Sequence, residues 1–179
     1  MTKIDKSRTF LPVHIAVMTV SDTRDLKDDH SGNTLIERIE DSGHVVAGRR
    51  IVKDEIDEIV GQLREWIMDL AVDVVISTGG TGVTGRDITP EAFERVIEKK
   101  IEGFGELFRW ISFQKIKTST IQSRAVAGVA GGTYLFALPG SPGACKDGWD
   151  EILQYQLDNR YRPCNFVELM PRLQERASH

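Results

Sequence analysis

The stretch "ISTGGTGVTGRDITPE", residues 76–91, sets Gly79, Gly80, Gly82 and Gly85 among Thr78, Thr81 and Thr84 and follows them with Asp87. Successive backbone N–H groups from Gly79 to Gly82 can wrap an oxyanion, and threonine hydroxyls can donate to it. The amino end of the helix expected next adds partial positive charge. That chemistry suits a phosphate or a carboxylate, although the same glycines would also permit a tight strand-to-helix turn with no ligand. A second loop, "LPGSPGACKDGWDE", repeats the arrangement, with Gly140 and Ser141 ahead of a helix start and Lys146 nearby. Taken alone it also reads as a proline-rigidified turn. A third, "TVSDTR", places Ser21 and Asp22 after an apolar run, where a plain turn fits as well. Two anion-binding mouths imply a two-part ligand.

Polyphosphates are bound as magnesium complexes, and Mg²⁺ takes one or two carboxylates together with phosphate oxygens and water. Asp87, inside the glycine loop, and Asp54, just past the end of the second expected strand, are the candidates for metal binding and catalysis. Each also fits as the cap of the helix that follows it. Asp28 and Asp29 read as solvated loop.

Gly80, Gly82 and Gly85 spell GxGxxG, yet a dinucleotide fingerprint needs its glycines to open a helix directly. It also needs an acidic residue about 20 positions on, at the end of the next strand. Here the helix begins later, with Thr89 as cap and Pro90 at its first position, and the region from Gly103 to Ile111 reads as helix. No GK[ST] ends the glycine run, which excludes a P-loop.

The elements that must position these loops are legible as strands and helices, the first and third strands as buried runs. "HIAVMTV" from His14 to Val20, "VVAGRRIV" and "VDVVIST" read as strands. Between them, Ser31 caps one expected helix carrying Leu35, Ile36 and Ile39, with Gly43 as its left-handed stop. "DEIDEIVGQLREWIMDL" makes a second. This βαβαβ order favours a parallel sheet with right-handed crossovers. Helical patterns follow at "PEAFERVIEKK", "FGELFRWISFQKI" and "TIQSRAVAGVA", then a strand "TYLFAL" and a final helix from about Ala144 to Leu157. The expected architecture is a three-layer α/β/α sandwich with a mostly parallel central sheet. Residues 1–179 read as one domain, with 163–179, containing Pro163 and Pro171, as an extended C-terminal arm.

Of 179 residues, 40% are hydrophobic and 28% charged, with a net charge of -4, which supplies no general field for nucleic acid. No segment is apolar enough for a signal peptide or a membrane span, so a cytoplasmic protein is expected. Cys145 and Cys164 lack CxxC spacing and read as reduced thiols. His14, His30, His44 and His179 form no local ligand pair.

Together, "TVSDTR", "SGNTL", "IVKDEIDEI", "ISTGGTGVTGRDITPEA", "EGFGELFRWISFQKIKTSTIQSRAVAGV" and "LFALPGSPGAC" resemble the MoaB/Mog family of molybdenum cofactor biosynthesis proteins, which includes the gephyrin G-domain. The "EGFGELFR", "STIQSRAVAGV" and "RPCNF" segments are most similar to the MoaB branch. The resemblance covers nearly the whole chain. It implies a subunit of trimers or hexamers that binds molybdopterin, and in active members transfers AMP from Mg-ATP to the pterin's terminal phosphate, releasing pyrophosphate. It also implies other molybdenum cofactor enzymes as partners. Carried over, the essential acidic positions fall on Asp54 and Asp87, and the pterin and phosphate contacts on Thr78, Gly79, Gly80, Thr81, Gly82 and Ser141. Lys53 and Gly85-Arg86 depart from the Mog pattern. A non-catalytic carrier that shields the pterin's dithiolene is the competing reading, and the presence of both aspartates favours the enzyme. On the catalytic reading, Asp87→Asn slows transfer and leaves pterin binding little changed. Phe104, Phe108, Trp110 and Phe113 either face a neighbouring subunit or complete the subunit's own core.

Overall fold

The computed structural model describes residues 3–175. After a short β1 (Lys3–Ile4) come β2 (His14–Val20), α1 (His30–Asp41), β3 (Val45–Val52), α2 (Ile56–Met68) and β4 (Val74–Thr78), the expected βαβαβ unit. Then follow α3 (Thr89–Glu94), β5 (Lys99–Lys100), α4 (Glu102–Ile116), a 3-10 turn (Lys117–Gln122), β6 (Val126–Ala130) and β7 (Thr133–Leu138). The chain ends in α5 (Pro142–Gly148), a π-helical turn (Trp149–Leu153), α6 (Gln154–Gln156), β8 (Tyr161–Arg162) and a last 3-10 turn (Val167–Arg172).

The main sheet has the order β3-β2-β4-β7-β6-β5. β3, β2, β4 and β7 run parallel, whereas β6 and β5 pair antiparallel. Four strands therefore present their carboxyl ends along one edge, where open α/β sheets carry their ligands. Side chains alternate across the sheet as the pleat requires. Ile15, Val17, Ile76 and Phe136 pack against Leu35 and Ile39 of α1, Phe104 and Phe108 of α4, and Trp149. Ala16, Met18, Val75 and Leu135 pack on the other face against Ile59 and Leu63 of α2 and Phe93 of α3. These are the three expected layers, and each large side chain sealed between them contributes about 1.5–3 kcal/mol.

Several local expectations fail for identifiable reasons. "TIQSRAVAGVA" is not a helix: its second half is β6, inserted between β7 and β5. The small residues fit there because a Cβ on Gly128 would lie 2.5 Å from Ile97. "PEAFERVIEKK" is helical only to Glu94, and Lys99–Lys100 forms an edge strand. Ile88 occupies the cap position of α3, so Thr89 is its first residue and Pro90 follows. The last helix starts at Pro142, capped by Ser141.

Asp29, not Ser31, caps α1, and it is wholly buried rather than solvated. Its carboxylate accepts hydrogen bonds from the Gly32 amide, the Thr19 hydroxyl and Arg49, at 2.9, 2.7 and 2.9 Å. Burial alone would raise its pKa, but these donors together hold it below the usual carboxylate value. Ser31 lies buried inside the first turn. Asp28, in contrast, is exposed. Pro163 onward does not run as a free arm: Asn165 and Val167 are buried, and Phe166 packs on Tyr134 and Phe136. Residues 176–179 of that expected arm lie outside the described residues.

Candidate functional site

At the carboxyl edge four segments meet: the turn after β2, the start of the loop after β3, the glycine loop after β4 and the proline-bounded loop after β7. The glycine loop and the 139–141 loop are joined directly, since the Gly79 amide donates to the Leu138 carbonyl at 3.0 Å. A Cβ on Gly140 would sit 3.2 Å from the Gly79 Cα. Gly79 and Gly80 adopt φ of 105° and 63°, in the left-handed region that favours glycine. A Cβ on Gly80 would meet Thr89 Oγ1 at 2.4 Å and Asp54 Oδ1 at 3.1 Å. Asp54's carboxylate therefore lies against the loop, across from a position that only hydrogen can fill.

The carbonyls of this loop are claimed from inside. The Thr89 hydroxyl and amide donate to the carbonyls of Gly79 and Gly80 at 2.8 and 3.0 Å. Arg124, which no local pattern marks, takes three further carbonyls. Its amide donates to Thr81, its Nε to Gly82 and its Nη2 to Asp87, at 2.9, 2.6 and 2.5 Å. Its remaining nitrogen pairs with Glu91. With the carbonyls turned inward, the Gly80 and Thr81 amides donate to no group among the described residues. The Gly79 amide, by contrast, is already used.

The residues expected at the site divide by what their side chains do. Thr78 is wholly buried, its hydroxyl directed to the Pro139 carbonyl at 2.9 Å and to Cys145 Sγ at 3.1 Å, so it stitches β4 to the neighbouring loop rather than facing a ligand. Thr81 is also buried. Ser141 Oγ accepts from the Ala144 amide at 3.2 Å, which leaves its own proton to donate. Ser21 Oγ accepts from the Thr23 and Arg24 amides, the plain-turn alternative. Arg24 then crosses to Gly140, donating to its carbonyl at 3.1 Å.

The two aspartates are not equivalent. Asp87 does not cap α3. One of its oxygens accepts from the Thr84 amide and hydroxyl at 2.8 and 2.6 Å, and its carboxylate lies under Gly82. Burial would raise its pKa, but Thr84, the Gly82 amide and Arg124 outweigh that and lower it. Asp87 thus braces the loop internally, through Thr84 and Gly82. Asp54 makes no cap bond either, because Glu55 holds the cap position of α2 without a side-chain bond. It accepts no side-chain hydrogen bond. Burial first, then the neighbouring Asp22, raise its pKa. Asp22 accepts from the Asp54 amide at 3.1 Å and from Arg86 at 2.5 Å, and its bond to Arg86 lowers its pKa.

A carboxylate with no ion-pair partner among the described residues, its pKa raised on balance although the Asp22 amide and Arg86 partly offset this, lies beside a second carboxylate and against Gly80, and so suits a divalent cation that arrives with phosphate oxygens. Asp54 fits direct ligation better than Asp87, whose lone pairs serve the loop. No cluster of three or more His, Cys, Asp or Glu poised for a metal occurs among the described residues, so most of the coordination would have to come from the ligand and water.

Residues 16–159 match the family model described as a probable molybdopterin binding domain. The chain is 49% identical over 160 residues to the molybdenum cofactor biosynthesis protein B of Escherichia coli strain K12, covering 89% of this chain and 94% of that one. A crystal structure of a molybdenum cofactor biosynthesis protein B superposes with a TM-score of 0.85 at 34% identity, covering 94% of this chain and all of the other. The tungsten cofactor synthesizing protein MoaB of Pyrococcus furiosus superposes at 0.75 with 32% identity, covering 92% and 98%.

Proposed function

Because the chain belongs to the MoaB/Mog family of molybdenum cofactor biosynthesis proteins and carries its molybdopterin-binding domain, we propose that it binds molybdopterin and adenylylates the terminal phosphate from Mg-ATP. The observation that carries this reading is the Asp54 carboxylate, without an ion-pair partner among the described residues, set against Gly80, whose amide, like that of Thr81, donates to no group among them. In adenylyl transfer an oxygen of the pterin phosphate bonds to the α-phosphorus of ATP. The bond from that phosphorus to its bridging oxygen breaks, and the electron pair leaves with pyrophosphate. No protein nucleophile is needed, only two anions brought together in line with their charge neutralised.

The Gly80 and Thr81 amides and the Ser141 hydroxyl hold the pterin phosphate, and Asp54 is the residue that would hold Mg²⁺. Mg²⁺ supplies the charge neutralisation when bound. Asp87 and Arg124 keep the amides aimed. The test is direct: purified protein incubated with molybdopterin and Mg-ATP should yield the AMP adduct and pyrophosphate in equal amounts. Tight pterin binding without adduct would instead support a carrier. A reaction that draws on ATP belongs in the cytoplasm, where other molybdenum cofactor enzymes would take up the product.

We further propose a homotrimer or a dimer of trimers. Phe104 and Phe108 complete the subunit's own core, but Trp110 and Phe113 on the same helix remain 64% and 45% exposed, beside exposed Leu107. Apolar area of that kind on a helix face is covered by association. Light scattering at micromolar concentration should return at least three subunit masses, and a monomer mass would reject the assembly.

A further inference from the structure

A recess of about 540 Å³ opens beside Ser21 and Asp22, along the end of edge strand β3. Its wall carries Arg24, Arg49, Arg50 and Lys53. Against the carboxylates of Asp22, Asp25 and Glu58 on the same wall, these cations leave a local positive excess in a chain of net charge -4. Their satisfaction is uneven. Arg49 pairs with the buried Asp29 at 2.9 Å, yet its Nε is buried with no partner among the described residues. Arg24 donates only to neutral oxygens, Ser31 Oγ at 2.6 Å and the Gly140 carbonyl at 3.1 Å. Arg50 donates to the Arg49 carbonyl at 3.1 Å.

Neither Arg24, Arg50 nor Lys53 has a carboxylate ion-pair partner among the described residues. The carboxylates on the same wall are engaged elsewhere. Asp22 is paired with Arg86, Asp25 accepts the Lys27 and Asp28 amides, and Glu58 accepts the Lys53 amide at 3.4 Å. Asp25 and Glu58 keep their own charge, yet the three cations without an ion-pair partner still outnumber them on a space large enough for more than one phosphate.

We infer that this recess is a polyphosphate subsite and that, resting on the adenylyl-transfer reading, it receives the β- and γ-phosphates of the nucleotide. Its position fits that role. Lys53 directly precedes Asp54, and Arg24 reaches back to Gly140, so the recess borders both the metal-binding carboxylate and the second loop of the site. As the α-phosphorus moves to the pterin oxygen and the bridging electron pair leaves, negative charge grows on the departing pyrophosphate. Fixed cations beside it stabilise that charge more than the ground state.

The experiment is calorimetric titration of inorganic pyrophosphate with MgCl₂ into the full chain, into the double variant Arg50→Gln/Lys53→Gln and into Arg64→Gln, a distant exposed cation on α2. Thermal melts would confirm that all three fold, and Lys53→Gln alone repeats the test should the double variant prove unstable. The expected result is saturable binding that weakens at least ~10-fold in the double variant and is unchanged in Arg64→Gln. Equal affinity in the double variant and the unaltered protein, or no saturable binding at all, would overturn the subsite. Binding that is lost in the double variant, together with no AMP adduct in the transfer assay, would leave the subsite standing and retire the transfer reaction.

Discussion

Asp54→Asn is expected to slow adenylyl transfer by at least ~100-fold, roughly 2.7 kcal/mol of transition-state stabilisation, while the fold keeps its full stability. The asparagine has the same shape and fits the space beside Gly80, but it removes the charge that would hold a metal-bound polyphosphate. The structural cost is small because Asp54 caps no helix and accepts no side-chain bond. Removing a carboxylate whose pKa is raised by burial and by Asp22 relieves repulsion, so the melting temperature should hold or rise slightly. The rate of AMP-adduct formation and a thermal melt on the same preparation provide the check. An unchanged rate would demote Asp54 to a bystander, and a large loss of stability would show that it holds the loop together.

Gly79→Ala should act through the fold. The added Cβ would stand 2.3 Å from the Val20 carbonyl, backbone that cannot step aside, at a φ of 105° that alanine rarely adopts. Val20 ends β2, so any relief must shift the end of one parallel strand against another. We expect a loss of about 3–5 kcal/mol, or roughly 10 °C in melting temperature for a chain of this size, with loss of pterin binding. Gly85→Ala is the matched control: a methyl added there would have nothing within 4 Å, and its φ is not positive. Urea unfolding of the two variants side by side should separate them clearly, and equal stabilities would refute the close-approach account.

That pair also explains how much of the site is legible in the sequence. The letters GxGxxG pick out Gly80, Gly82 and Gly85, whereas close approach and backbone twist select Gly79 and Gly80. The letters make no dinucleotide fingerprint, because the helix after them starts too late. The parallel strands β2, β4 and β7 can be read because burial on both faces leaves unbroken apolar runs such as "HIAVMTV". β6 cannot, because its alanines and glycine fit a helical pattern equally well and only the sheet edge decides between them. Asp29 and Arg124 escape for a related reason. The partners that define them, Arg49 and Thr19 for one and the carbonyls of residues 81–87 for the other, are distant in sequence. The Thr78 side chain turns away from the loop because the pleat sends it to the face of Val74 and Ile76, where it meets Cys145.

The grip of Arg124 on three carbonyls of the loop has a thermodynamic consequence for any ligand. A glycine-rich segment left free would surrender its conformational entropy on capturing an anion, and that cost would be subtracted from the affinity. Here the ordering has been completed when the polypeptide folds, through a side chain anchored at the start of β6 and braced by Glu91. An anion held as proposed would meet amides already in place, so its capture would resemble docking onto a rigid surface, with an association rate set by diffusion and charge rather than by rearrangement of the loop.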